Sequence, residues 1–303
     1  MKRKKKNPII ENLEYFSLLL FIELVRVMNR KLVYFLAEFI GKLFFILDKR
    51  HRTRAIEHII HAGVAEDKVS AIRIARASFV HLVKVGVDVI KLDQFINAEN
   101  LRSHFKVRFE SKETEEATWN SESYVFVGAH YGNWEISGLA VSVGVRPILS
   151  IMRPFDNKKI GEYFTSRRKM FRQEICLQKN ALKHSMAAIR KGRAVGIIAD
   201  QHAGEHGTLT TFFGHPASTH KTPAVLHLKT GATLIFGAAR RLDDNFNYEF
   251  AVYGPFKLEN PSGDREKDIL TLTQKYTSAI EKEIRRDPTQ WLWSHRRWLD
   301  INR

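Results

Sequence analysis

Apolar and polar positions follow two rhythms along this chain. From Arg50 to Gln94 the apolar residues fall at three- and four-residue steps, as in Ala71, Ile74, Ala75, Phe79, Leu82, Val83 and Val87, which predicts helix. From about residue 105 onward, short β-rich runs alternate with helical stretches. Strands are predicted at Lys106–Phe109, Tyr124–Val127, Pro147–Met152, Ile175–Leu177, Ala194–Ala199, Thr233–Ala239 and Tyr248–Val252. Helices are predicted at Asn157–Phe171, Ala181–Lys191, Lys221–Lys229 and Arg265–Arg286. Such alternation implies an α/β fold with a mainly parallel central sheet flanked by helices. Gly254 to Gly263 reads as a loop inside that rhythm and not as a domain boundary.

The N-terminal region differs. A basic cluster, Lys2 to Lys6, precedes an apolar run from Tyr15 to Ile22, and a second run covers Leu32 to Leu47. Glu23 and Arg26 end the first run, and Glu38 and Lys42 break the second, so neither reaches the roughly 18 uncharged residues of a spanning helix. No small-residue cleavage site follows the basic cluster, which argues against a signal peptide. The expectation is two amphipathic helices lying in a membrane interface, with Arg26, Arg30 and Lys31 toward anionic headgroups. A core hairpin and a single span over Asn12–Met28 are the alternatives.

Composition sharpens this picture. With 303 residues and 44% hydrophobic content the chain can bury a sizeable core, and its net charge is +16. A balance that basic points to nucleic acid, anionic membrane or acidic partners. No zinc-finger spacing or RNA-binding aromatic pattern occurs, so membrane is favoured and nucleic acid is not expected as a partner. The single cysteine, Cys176, excludes an internal disulfide framework and reads as a buried hydrophobe.

Candidate chemistry concentrates at predicted strand ends. His130 follows the strand Tyr124–Val127, and Asn133 is placed to cap a helix beginning at Trp134. Glu135, in the first turn of that helix, is expected to reach one imidazole nitrogen, leaving the other to take a proton from a hydroxyl. The bland alternative is a solvated His and Glu in a loop. Proximity to a helix N-terminus is expected to keep His130 neutral. Arg153 ends the next strand, and Asp200 and Gln201 end the strand Ala194–Ala199. His202 to His206 spells H-x-x-E-H, but Gly204 and Gly207 interrupt a helix there, so the stretch reads as a loop without a metal. His58 and His61 read as surface residues. Thr211 to Gly214 suggests a turn with aromatic walls suited to an acyl chain. The segment Trp291 to Trp298 mixes aromatics with Arg296 and Arg297, as a membrane interface or lipid phosphate would require.

Taken in order, His130 with Glu135, Arg153-Pro154, Asp200-Gln201 with Phe212-Phe213-Gly214, and Trp291 to Trp298 resemble one family. The chain is similar, from about Arg50 to Trp298, to bacterial lipid A biosynthesis acyltransferases of the lysophospholipid acyltransferase superfamily. The resemblance implies a glycerol-3-phosphate acyltransferase-like fold, with residues 1–48 as a membrane-anchoring region and 49–303 as the acyltransferase domain. It implies that a His–Glu pair, His130 and Glu135, activates an acceptor hydroxyl that attacks an acyl thioester. Arg153, Asn133, Asp200, Gln201 and Arg296 become substrate-binding candidates. The implied partners are an acidic acyl carrier protein, or coenzyme A as donor, a phosphorylated glycolipid acceptor and the cytoplasmic face of a bacterial inner membrane. No cofactor is implied, because the thioester is already activated. Other glycolipid or lysophospholipid acceptors, and a non-catalytic peripheral membrane protein, are the competing readings.

Overall fold

The computed structural model describes residues 7–97, 99–177 and 180–298; the Lys2 to Lys6 cluster lies outside them. The chain opens with four helices, α1 (Pro8–Val27), α2 (Arg30–Leu47), α3 (Lys49–His61) and α4 (Lys68–Phe95). Side chains of Asn7, Asn29, Asp48 and Asp67 accept hydrogen bonds from the first turns of these helices and set where each begins. Strand and helix then alternate: β1 (Phe105–Phe109), α5 (Lys112–Asn120), β2 (Tyr124–Gly128), α6 (Trp134–Gly144), β3 (Ile148–Met152), α7 (Lys158–Lys169), β4 (Gln173–Leu177), α8 (Ala181–Arg190) and β5 (Ala194–Ile198). A hairpin of β6 (Thr208–Phe212) and β7 (His215–Thr219) follows, then α9 (Thr222–Thr230), β8 (Thr233–Arg241), β9 (Tyr248–Tyr253) and α10 (Arg265–Arg286).

The central sheet has the order β1-β9-β8-β2-β5-β3-β4. Every pairing in it is parallel except β8 with β9. Along β2, Val125 and Val127 enter one core, while Tyr124 and Phe126 enter the other. A strand buried on both faces reads as an unbroken apolar run, which is why YVFV carries no polar alternation. The first core takes in α3, the first half of α4, α8, α9 and α10; the second takes in α1, α2, the second half of α4 and α6.

Helices α1 and α2 do occupy the two apolar runs. Ile22 and Val25 of α1, and Val33, Tyr34, Ala37, Gly41 and Phe45 of α2, are buried. Many of their other apolar side chains, including Leu13, Phe16, Leu20, Phe35, Phe39 and Leu47, are exposed. No described helix is long and apolar enough to cross a membrane.

Two sequence expectations are overturned. Trp291, Trp293 and Trp298 are buried, with Phe212 and Phe213, so the tryptophan segment is core and not an interfacial surface. The rings pack edge to face, Trp291 against Trp293 at 4.6 Å between centroids and against Phe212 at 5.6 Å. That packing also closes the aromatic walls of the β6–β7 turn. His58 is buried rather than on the surface, with Nδ1 3.0 Å from the Trp293 carbonyl and its ring against Trp298. His61 is half-buried and stacks on His215.

Candidate active site

β2 lies between β5 and β8, so the carboxyl ends of β2 and β5 open side by side. His130 follows β2 and Asp200 follows β5. Asp200 is fully enclosed: Oδ1 lies 2.8 Å from His130 Nδ1, and Oδ2 accepts from the His130 backbone N–H and from Trp291 Nε1, each at 2.8 Å. The expected contact from Glu135 to the ring is therefore made by Asp200. Burial opposes charge on Asp200, yet the His130 imidazole and the donors around it hold its carboxyl well below the usual range.

With Nδ1–H facing a carboxylate, the neutral ring carries its lone pair on Nε2. Among the described residues no side chain or backbone group bonds that nitrogen. Burial works against the imidazolium, but the Asp200 charge and hydrogen bond, with a further contribution from the Glu135 charge, raise the His130 pKa. The downward pull expected from the helix terminus does not set the direction of the shift, because the two carboxylates outweigh burial and raise it.

Glu135 points instead at α7. Arg168 grips its carboxylate with two nitrogens, at 2.9 and 2.5 Å, and is only 19% exposed. Sequence reading missed Arg168; its only signal is the basic last turn of α7, Arg167-Arg168-Lys169. Next to it, Arg167 lies 2.7 Å from Asp93, which also accepts from Arg26 of α1 at 2.6 Å. A small cavity of about 100 Å³ lies beside Glu135 and Arg168, walled by Trp134, Gly138, Ile151 and Ile198.

The turn carrying His130 is held from every side. Gly132 has φ +58, and a Cβ there would sit 2.1 Å from the Ala239 carbonyl, so only glycine fits. His81 Nε2 lies 2.9 Å from the Gly132 carbonyl, and Leu292 N–H donates to the His130 carbonyl at 3.1 Å. Asn133 caps α6 at the Ile136 N–H and donates to Asp88. It is fully buried, so the structure gives this candidate a positioning place rather than an exposed one. Asp88 is itself enclosed, receiving Tyr34, Tyr248 and Arg241 as well as Asn133.

The other candidates scatter. Arg153 is exposed and lines a separate hollow of about 550 Å³ with Pro154 and Phe155, and its charge, behind burial and Arg297, helps hold the His220 pKa down. Gln201 is half-buried, and its carbonyl accepts from Arg297. Arg297 is buried over the Phe212 ring and donates to Ser218 and Thr219. Arg296 is exposed. His295, which sequence reading did not single out, lies 6.0 Å from the His130 ring with Nε2 3.2 Å from the Asp200 carbonyl oxygen. H-x-x-E-H forms a short 3-10 turn, Gly204–His206, not a helix face.

Comparison with known proteins identifies the family of the chain. A family model described as bacterial lipid A biosynthesis acyltransferase matches residues 1–300. The chain is 26% identical over 185 residues to an Escherichia coli (strain K12) lipid A biosynthesis palmitoleoyltransferase, a match covering 60% of this chain and 58% of that protein. It is 26% identical over 177 residues to the lauroyltransferase of the same organism, covering 57% and 55%. A Haemophilus influenzae lipid A biosynthesis acyltransferase is 22% identical over 180 residues, covering 58% and 56%. The chain therefore spans somewhat more than half the length of the curated relatives it matches.

Proposed function

Because this chain belongs to the bacterial lipid A biosynthesis acyltransferase family, we propose that it transfers a fatty acyl group from an acyl thioester to a hydroxyl of a lipid A precursor. The observation that carries the reading is one imidazole with a buried carboxylate on Nδ1 and an unengaged Nε2. Nε2 takes the proton of the acceptor hydroxyl as its oxygen attacks the thioester carbonyl. The imidazolium that forms is stabilised by Asp200, as in other His–carboxylate pairs. Collapse of the tetrahedral intermediate breaks the C–S bond, and the thiol leaves with the proton that His130 returns. Ester and free thiol balance alcohol and thioester.

Glu135 adds negative charge near the ring while Arg168 fixes its position; we assign it a supporting electrostatic role beside the general base. Arg153, Gln201 and Arg296 remain substrate-binding candidates, and Asn133 shapes the turn. The donor is an acyl carrier protein, whose acidic surface suits a chain of net charge +16 through salt-sensitive steering. Residues 1–48 form the membrane-associating part and 49–303 the acyltransferase domain, at the cytoplasmic face of the inner membrane. The support is the exposed apolar side of α1 and α2, an area that a helix lying in the interface would bury.

The test is His130→Ala. Acyl transfer should fall by at least ~10² while binding to lipid vesicles is unchanged. Undiminished transfer in the variant removes the proposed base; wild-type protein that binds vesicles but transfers nothing leaves a membrane-binding protein.

A further inference from the structure

A groove of about 830 Å³ runs from the exposed face of α2 to the residues beside His130. Phe44, Leu47, Phe79, Leu82 and Leu292 form its apolar walls, and His295 closes the inner end. The volume falls in the range of roughly 300–1,000 Å³ usual for small-molecule sites. At its outer end Leu43, Phe44, Ile46 and Leu47 continue as the exposed apolar surface of α2. At its inner end Leu292 N–H bonds the His130 carbonyl, and the His295 ring is 6.0 Å from the His130 ring. An amphiphile entering from a bilayer thus meets a mainly apolar wall, interrupted by Asp48, His51 and Ser294, as far as His295 beside the base.

The groove also has a charged rim. Lys49, Arg50, Thr53 and Arg54 line a second hollow of about 530 Å³ on α3. Arg54 donates to the Ser294 carbonyl at 3.1 Å, and Ser294 lines the apolar groove, so the two hollows adjoin. Among the described residues, Lys49, Arg50 and Arg54 form no ion pair. Asp48, the acid nearest to Lys49 and Arg50 along the chain, is engaged by the His51 backbone and ring. Burial chiefly, then the charges of Arg296 and Arg50, lower the Arg54 pKa, and Asp48 and Glu57 offset this in smaller part.

We propose that this groove and its cationic rim seat the acceptor, a phosphate-bearing amphiphile: acyl chains lie along Phe44, Phe79, Leu82 and Leu292, and a phosphate sits against Lys49, Arg50 and Arg54. The inference rests on the acyl-transfer reading only for its consequence on turnover; the binding stands by itself. It moves phosphate recognition away from Arg153, which lines a different hollow.

The test uses the double variant Lys49→Glu, Arg50→Glu, both exposed side chains whose replacement spares the core. Binding of a phosphorylated glycolipid and of its phosphate-free counterpart is measured in neutral detergent micelles by tryptophan fluorescence. Affinity for the phosphorylated lipid should fall about tenfold or more, the equivalent of one charge-assisted hydrogen bond, with the phosphate-free lipid unaffected. In turnover, KM for the phosphorylated acceptor should rise by the same factor with kcat within about twofold. Equal affinities of variant and wild type in micelles, or a loss shared by both lipids, overturns the proposal. Reduced binding only to vesicles containing phosphatidylserine overturns it too, because the cluster then reads bulk membrane charge. Selective binding without any turnover in the wild type leaves the site intact and refutes the acyl-transfer reading instead.

Discussion

Asp88 and Asp200 are both fully buried carboxylates at the same end of the sheet, yet their surroundings differ in kind. Asp88 is closed: Tyr34 from α2, Arg241 from β8, Tyr248 from β9 and Asn133 before α6 all converge on it. Each of those partners is itself buried. Asp200 receives one fixed indole, one backbone N–H and one imidazole, and the far side of that imidazole remains unbonded. The first arrangement joins four elements and leaves nothing to react. The second holds a ring while leaving one nitrogen with chemistry to do. Burial of a charge therefore does not mark a reactive site; an unfilled valence at the edge of the network does.

Substitution at the two carboxylates tests the contrast. Asp200→Asn should lower acyl transfer by about 10²–10⁴, because the amide favours the wrong tautomer and leaves the imidazolium unsupported. The same change should move the acidic limb of the pH–rate profile downward. Asp200 raises the His130 pKa, so in the wild type the base form, and with it activity, is lost as pH falls through a value raised above that of an ordinary imidazole. A limb that stays in place would show that His130 and Asp200 do not titrate as a pair. Asp88→Asn should instead cost stability, about 1.5–3 kcal/mol, because Arg241 keeps Asp244 but loses the buried carboxylate that it shares with Tyr34 and Tyr248; chemical denaturation measures it. A stable but inactive Asp88→Asn protein would erase the distinction drawn here.

Smaller effects follow from single contacts. Glu135→Gln should slow transfer roughly 10- to 100-fold, the loss of one charge-assisted interaction near the reacting ring, without the unfolding expected at Asp88. A loss as large as that of His130→Ala would promote Glu135 from a supporting charge to an equal partner. Tyr248→Phe should cost about 1.5–3 kcal/mol of stability and leave the pH–rate profile unmoved, since it removes one donor from the closed network.

Much of the sheet was legible because seven of its strands are short β-rich runs flanked by turn signals, and the helices after β3, β4 and β7 carry periodic apolar faces. α5 was not legible: KETEEATWN buries only Thr114 and Thr118, so it lacks the apolar stripe that betrays a helix. At the site, His130 and the cap at Asn133 followed from local spacing. Its actual carboxylate partner lies 70 residues away, just past the end of a neighbouring strand, and only the register of β2 with β5 brings them together. Glu135 was the nearer acid in sequence, but the helix turns it toward Arg168. The tryptophan segment misled because mixed aromatics and cations look alike on a membrane surface and in a core. What decides is whether Phe212 and Phe213 are there to meet the rings.

Asp93 ties the first helix to α7 through Arg26 and Arg167, one position before the arginine that steadies Glu135. Cutting the chain before residue 49 therefore does more than release a tether. Asp93 stays paired with Arg167, but Asn157 at the start of α7 loses Glu11 and Glu14, to which its amide donates at 2.8 and 3.0 Å, so the helix that carries Arg168 toward Glu135 is left without its seat at one end.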